Sequence, residues 1–313
     1  MPFATGPDGV RIFYEVCGDR GPAAVLIQGL GLSSRFWFDL PDRLTRGPEP
    51  WRVVTIDNRG VGQSDKPRGL FTMTEMAEDV RAVLDAAGVE RATVVGLSLG
   101  GMIAQHVALR YPSRVDGLVL LATTAGPPHF RPPRARALAT LLTLPLGGRL
   151  RPRGAVAPSL ARLVLSQHDA ARAAELLSAW PEALRSDPTS VRVYVAQLCA
   201  VVRHSTGARL GGIACPTVIM TGDDDPLIPG ENSTRLAKLV PGAHLEIVRR
   251  CGHIIPASDP DSIGRALARV TAMAAVATEG APNVVVAQAP NVVVVAQQET
   301  EPDTLASSRP DAA

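Results

Sequence analysis

Cysteine is scarce in this 313-residue chain: Cys17, Cys199, Cys215 and Cys251 are scattered, with no C-x-x-C pair. That spacing argues against a disulfide framework, and with the six histidines unclustered it argues against a metal site. Reduced thiols in a cytoplasmic protein are the expectation, with no metal or organic cofactor. Aromatic residues make up only 4% of the chain, too few for the stacking platforms that hold single-stranded nucleic acid. Charge of one sign is missing as well. The 32 basic residues meet 30 acidic ones, so no nucleic-acid partner is expected. Lysine is almost absent, with Lys66 and Lys238 set against 30 arginines. There is no run of 18 apolar residues to cross a membrane, and the opening Met1-Pro2-Phe3-Ala4-Thr5-Gly6 lacks the basic and apolar regions of a secretory signal.

What the chain does have is a rhythm. Residues 10–16 alternate between apolar and polar, as a half-buried strand does. Short apolar runs then recur at 23–28, 52–56, 92–97, 117–122, 217–221 and 245–248, each ending at glycine or a turn. Continuous Val/Ile/Leu runs suit parallel strands buried on both faces. Helical patterns lie between them. The clearest starts at a Thr72-x-x-Glu75 capping box, continues through the stripe Met76, Val80, Val83 and Leu84, and stops at Gly88. Strands alternating with helices predict an α/β protein with a doubly wound, mostly parallel sheet.

Residues 127–212 interrupt the rhythm. They open on Pro127-Pro128 and Pro132-Pro133, turn helix-like over 170–179 and 191–202, and carry 12 arginines against four acidic residues. The segment reads as a helical cap inserted into a core formed by 1–126 and 213–278. Its charge fits either a solvated arginine face or a lid that meets a carboxylate on the substrate. The tail, 279–313, nearly repeats Ala281-Pro282-Asn283-Val284-Val285-Val286-Ala287-Gln288 as residues 289–297. Two copies make no solenoid, so a disordered appendage is expected, with a hairpin or a partner-binding strand as the other readings.

One motif points to chemistry. Gly96-Leu97-Ser98-Leu99-Gly100 matches G-x-S-x-G, with a strand-like run before it and a helix-like run after it. A sharp strand-to-helix turn there would expose the Ser98 hydroxyl and aim the Leu99 amide at the place where an oxyanion forms. A serine needs a base, and the base needs an orienting acid. Of the histidines, His253 follows the last predicted strand in a Cys251-Gly252-His253 turn; His106 falls mid-helix, His244 begins a strand, and His129, His168 and His204 lie in the insertion. The acid belongs after the strand 217–221, where the chemistry of Asp223-Asp224-Asp225-Pro226 leaves three candidates.

With these residues in place the sequence resembles the α/β-hydrolase superfamily from residue 9 to about 275. The nucleophile–acid–histidine order of that family is kept, and its glycine-x-x-aspartate-proline pattern selects Asp225. Asp57-Asn58-Arg59-Gly60-Val61-Gly62-Gln63-Ser64 matches a structural turn of the family. The usual His-Gly of the oxyanion loop is replaced by Gln28-Gly29-Leu30-Gly31, and the Leu30 amide stands where the second oxyanion donor is expected. The resemblance implies an α/β-hydrolase fold with a catalytic Ser98–His253–Asp225 triad and an oxyanion hole made by the Leu30 and Leu99 amides. It implies a small-molecule ester or lactone substrate and an acyl-enzyme. Carbon–carbon hydrolases, perhydrolases and non-catalytic small-molecule binders share the same motifs.

Overall fold

Each apolar run is continuous because successive side chains feed two different cores. A computed structural model describes residues 2–144, 160–161, 163–166, 168, 189–279 and 291–295. Its strands are β1 (Phe3–Thr5), β2 (Arg11–Cys17), β3 (Ala23–Ile27), β4 (Arg52–Ile56), β5 (Ala92–Leu97), β6 (Val115–Leu121), β7 (Thr217–Gly222), β8 (His244–Val248) and β9 (Asn291–Val295). The helices used below are α1 (Leu40–Arg46), α2 (Met73–Ala86), α3 (Leu99–Arg110), α4 (Ala135–Thr143), α5 (Val191–Arg203), α6 (Glu231–Leu239), α7 (Ile255–Ser258) and α8 (Ser262–Glu279). Val25, Ile27, Val54, Ile56, Val94, Leu118 and Leu120 face Met76, Val80 and Val83 of α2 and Ile103 and Val107 of α3. Ala24, Leu26, Val53, Val95, Val119 and Leu121 face Leu40 and Leu44 of α1 and Ile263, Leu267 and Val270 of α8. A period of two inside an all-apolar run is what a sheet covered on both faces requires.

The sheet order is β1-β2-β4-β3-β5-β6-β7-β8-β9. The β1–β2 and β2–β4 pairs are antiparallel, and every later pair is parallel. The carboxyl ends of β5, β6, β7 and β8 therefore open on one edge of the sheet, the edge where open α/β sheets hold ligands. Helix α2 begins at the Thr72–Glu75 capping box, with both reciprocal bonds formed. It ends with Gly88 at φ 63°, its amide bonded to the Asp85 carbonyl and that of Val89 to Leu84, a pairing that needs a left-handed residue.

The tail differs from the disordered appendage expected of it. Residues 291–295, within the second copy of the repeat, form β9 in parallel register with β8, from His244↔Asn291 to Val248↔Val295. The reason is local. The outer side of β8 needs partners for its backbone groups, and a run of valines is well suited to a pleated surface. The Arg249 amide extends the ladder to the Val295 carbonyl at 3.0 Å. The first copy and the rest of the tail lie outside the described residues, as does the helix-like stretch 170–179.

Two buried polar groups tie the elements together. Arg59 is 1% exposed; its guanidinium bonds Asp79 of α2 at 2.6 and 2.7 Å and Asp8 at 2.9 Å. Burial pushes the Asp79 carboxyl up to about 6 against the pull of the guanidinium. Burial also works against the Arg59 charge, but the facing carboxylates outweigh it and strengthen its hold on the proton. The second group closes the neck of the insertion. Thr206 donates its amide to Ala125 O and its hydroxyl to Gln105 Oε1, while the Gln105 amide donates to Thr124 O. The His204 ring bonds the same Thr124 carbonyl and lies 5.4 Å from the His106 ring, whose nitrogens find no partner among the described residues. Burial, reinforced by His204, Arg209 and Arg110, pushes His106 down from 6.5 to about 3; burial, with Arg209 and against the Thr124 bond, pushes His204 to about 4.

Asp79→Asn would take from buried Arg59 its one buried carboxylate partner and leave it the half-exposed Asp8, so it is expected to lower the urea-unfolding free energy by about 3 kcal/mol. The double change Arg59→Met/Asp79→Leu is expected to recover part of that loss. The neck histidines carry a signed pH dependence. Their folded pKa values lie below the ordinary 6.5, so their contribution is complete above that pH and is lost as pH falls toward 4. The urea midpoint should therefore drop between pH 6.5 and 4, and drop less in His106→Gln/His204→Gln.

Candidate active site

Ser98 is one of four non-glycine residues with positive φ among the described residues, with Phe38, Ala122 and Arg250. At φ 56° and ψ −114° it joins β5 to α3 without room to relax. Its amide donates to Leu121 O at 2.9 Å, and its carbonyl accepts the Thr123 hydroxyl at 2.7 Å. The flanking glycines permit this turn. A Cβ on Gly96 would lie 2.3 Å from Gly100 O, and one on Gly100 would lie 2.0 Å from Ile27 O. Strand and helix backbones therefore touch where no side chain fits. Leu99 is the first residue of α3, so its N–H has no intrahelical acceptor and points along the positive end of the helix.

The acid and the histidine emerge from β7 and β8 on the same edge. His253 Nδ1 bonds Asp225 Oδ2 at 2.8 Å, with side-chain exposures of 4% and 0%. The other carboxylate oxygen, Oδ1, accepts the amides of Leu227 and Ile228, both at 2.8 Å. Asp225 is thus fixed from both sides, by the imidazole and by the turn that follows it. Its neighbours diverge: Asp223 is exposed, and the Asp224 amide serves the Cys251 carbonyl. The histidine loop is held from the cap, since the His253 amide donates to Val164 O at 2.8 Å. An apolar shell containing Phe36, Leu163, Val164, Leu227, Ile228 and Ala257 packs around these two loops.

The loop 28–31 lies against the nucleophile turn. A Cβ on Gly29 would sit 3.5 Å from Ser98 Cβ. Gln28 is buried, and its side-chain oxygen accepts the next amide, that of Gly29, at 3.0 Å; its carbonyl accepts Asn58 Nδ2. Asp57 braces the neighbouring turns by accepting the amides of Ser34 and Gln63. What the sequence reading missed is the hold of α5 on this region. Gln197 Oε1 accepts the Gly31 amide at 2.8 Å, and its Nε2 donates to Arg59 O at 3.4 Å. Thr189, just before the helix, donates to Gly31 O. The buried spacing Val193, Ala196, Gln197 and Ala200 is a helical face that could have flagged this helix as core-bound, although nothing local names its partners, 166 residues away.

Of the other histidines, His106 and His204 close the neck, and His244 lies in β8. All four cysteines are free thiols. Among the described residues, no group of three His, Cys, Asp or Glu side chains is arranged to hold a metal, and no helix is long and apolar enough to cross a membrane. A strained serine beside a helix N-terminus, a buried carboxylate–imidazole pair and the loop 28–31 against the serine turn, all on one sheet edge, form a set suited to nucleophilic attack on a carbonyl carbon.

Comparison with known proteins agrees with this architecture. The family model for the alpha/beta hydrolase fold matches residues 22–260. The chain is 30% identical over 271 residues to a protein of Azorhizobium caulinodans that carries the name carbamate hydrolase RutD, covering 83% of this chain and 94% of that one. It is also 30% identical over 267 residues to a 2-hydroxy-6-oxononadienedioate/2-hydroxy-6-oxononatrienedioate hydrolase of Cupriavidus pinatubonensis, covering 80% and 88%. Among solved structures, a hydrolase from Pseudomonas aeruginosa superposes with a TM-score of 0.73 at 26% identity, covering 86% and 97%. The chain belongs to the α/β-hydrolase fold family and is a hydrolase.

Proposed function

We propose that this hydrolase transfers an acyl group to water through Ser98, cleaving a carboxylic ester or a lactone. The observation that carries the reading is the buried Asp225–His253 bond, made on the sheet edge that also bears the strained serine turn. With Nδ1 committed to Asp225, the imidazole keeps Nε2 for proton transfer. In the first half, His253 takes the Ser98 proton as the oxygen attacks the carbonyl, and the Leu30 and Leu99 amides receive the negative charge. The alcohol leaves with the proton returned by His253. In the second half, water repeats the path and frees the acid. Asp225 holds the ring in orientation and stabilises its charged form. Each oxyanion donor is worth about 3 kcal/mol of barrier.

The acyl carbon need not belong to an ester. The identity to the Cupriavidus hydrolase favours a second reading, in which the same groups cleave a carbon–carbon bond next to a carbonyl. A panel of esters, lactones, carbamates and vinylogous diketones decides between these classes by kcat/KM.

Ser98→Ala is expected to lower kcat on p-nitrophenyl acetate by about four orders of magnitude or more, and to abolish stoichiometric labelling by a fluorophosphonate. Asp225→Asn should keep the fold and lose about 10³ to 10⁴ in kcat. A Ser98→Ala protein that retains wild-type turnover would refute the assignment.

A further inference from the structure

We propose that Gln197, on helix α5 of the insertion, is a positioning residue that sets the direction of the Leu30 amide; this deepens, and rests on, the acyl-transfer reading above. Three consecutive amides line the loop beside Ser98. The Gly29 N–H is taken by the Gln28 side chain at 3.0 Å, and the Gly31 N–H by Gln197 Oε1 at 2.8 Å. The Leu30 N–H between them has no acceptor among the described residues. Its own peptide is oriented from the far side, because Gly29 O accepts the Leu32 amide at 3.3 Å. A trans peptide whose carbonyl is held one way must send its N–H the other way.

Gln28 bonds the amide next to it, so it anchors only the start of the loop. The far end is held by the insertion. Gln197 grips the Gly31 amide, Thr189 grips the Gly31 carbonyl at 2.8 Å, and a Cβ on Gly31 would come within 3.2 Å of the Tyr194 ring. Gln197 is 0% exposed, and its amide nitrogen is tied to Arg59 O on the turn fixed by the Arg59–Asp79 pair. Loop and insertion are thereby locked to one frame. Removing the acceptor would leave a half-buried Gly31 N–H without its partner and free the adjoining peptide to rotate.

The test uses the full chain. Gln197→Met keeps the length of the side chain and removes its acceptor; Thr189→Val removes the second grip. For Gln197→Met, kcat on p-nitrophenyl acetate should fall about tenfold with KM within about twofold. Affinity for a trifluoromethyl ketone, which forms a tetrahedral adduct on the serine, should weaken by the same factor as kcat/KM. Thr189→Val should shift both quantities in parallel by about threefold, and it carries the test if Gln197→Met does not fold. Unchanged kcat, or a kcat loss without a matching loss of ketone affinity, in a folded variant overturns the proposal while leaving the acyl-transfer reading intact. A wild-type protein that neither turns over esters nor is labelled at Ser98 overturns both.

Discussion

The structure turns on one close approach, where the amino end of α3 is pressed against the carboxyl ends of β3 and β5 through backbone alone. Gly100 stands in contact with Ile27 O, and Gly96 in contact with Gly100. Ser98 bears the strain of this contact at φ 56°. Nothing softer would hold a side chain in that conformation, since a residue with a Cβ at either glycine would push helix and sheet apart. The strain is distributed into the best-packed part of the molecule: β5 is buried along its whole length, and α3 is buried from Leu99 to Ala108.

Around that point the supporting parts act at increasing distance. The Asp225–His253 pair is fixed by its own loop amides and by the Val164 carbonyl from the insertion. The loop 28–31 is fixed by Asn58 and Gln28 from the core and by Gln197 and Thr189 from the insertion. Arg59 ties the brace of that loop to the core: its side chain is paired with Asp79 and its carbonyl is bonded by Gln197. Helix α5 is therefore continuous with the core in its contacts, although in sequence it sits within the inserted segment.

Much of this was legible in the residues. The strands announced themselves because a doubly covered sheet demands unbroken apolar runs, and 52–56 and 92–97 match their strands end to end. Capping chemistry fixed both ends of α2, because the Thr72–Glu75 reciprocity and the left-handed Gly88 are local requirements. Local rules also led to His253 and to the run Asp223–Asp225, each in the loop after its own strand, and the family resemblance singled out Asp225 from that run. Long-range polar pairing was not legible. Gln197 looks like any polar residue in a helix until the chain brings Gly31 to it, and the His106–His204 contact joins a core helix to the insertion's exit. The strand at Asn291–Val295 was not legible for a related reason. A valine run in polar, repetitive surroundings resembles unstructured chain unless an unpaired strand edge is known to be waiting for it.

That added strand changes the outline of the sheet. In an open parallel sheet the last strand offers an unoccupied ladder of amides and carbonyls, which a second molecule can extend. Here the ladder on β8 is filled from within by Asn291–Val295. Growth of the sheet from one copy into the next across β8 would first require this segment to be peeled away, and the border of the sheet passes from β8 to Asn291–Val295.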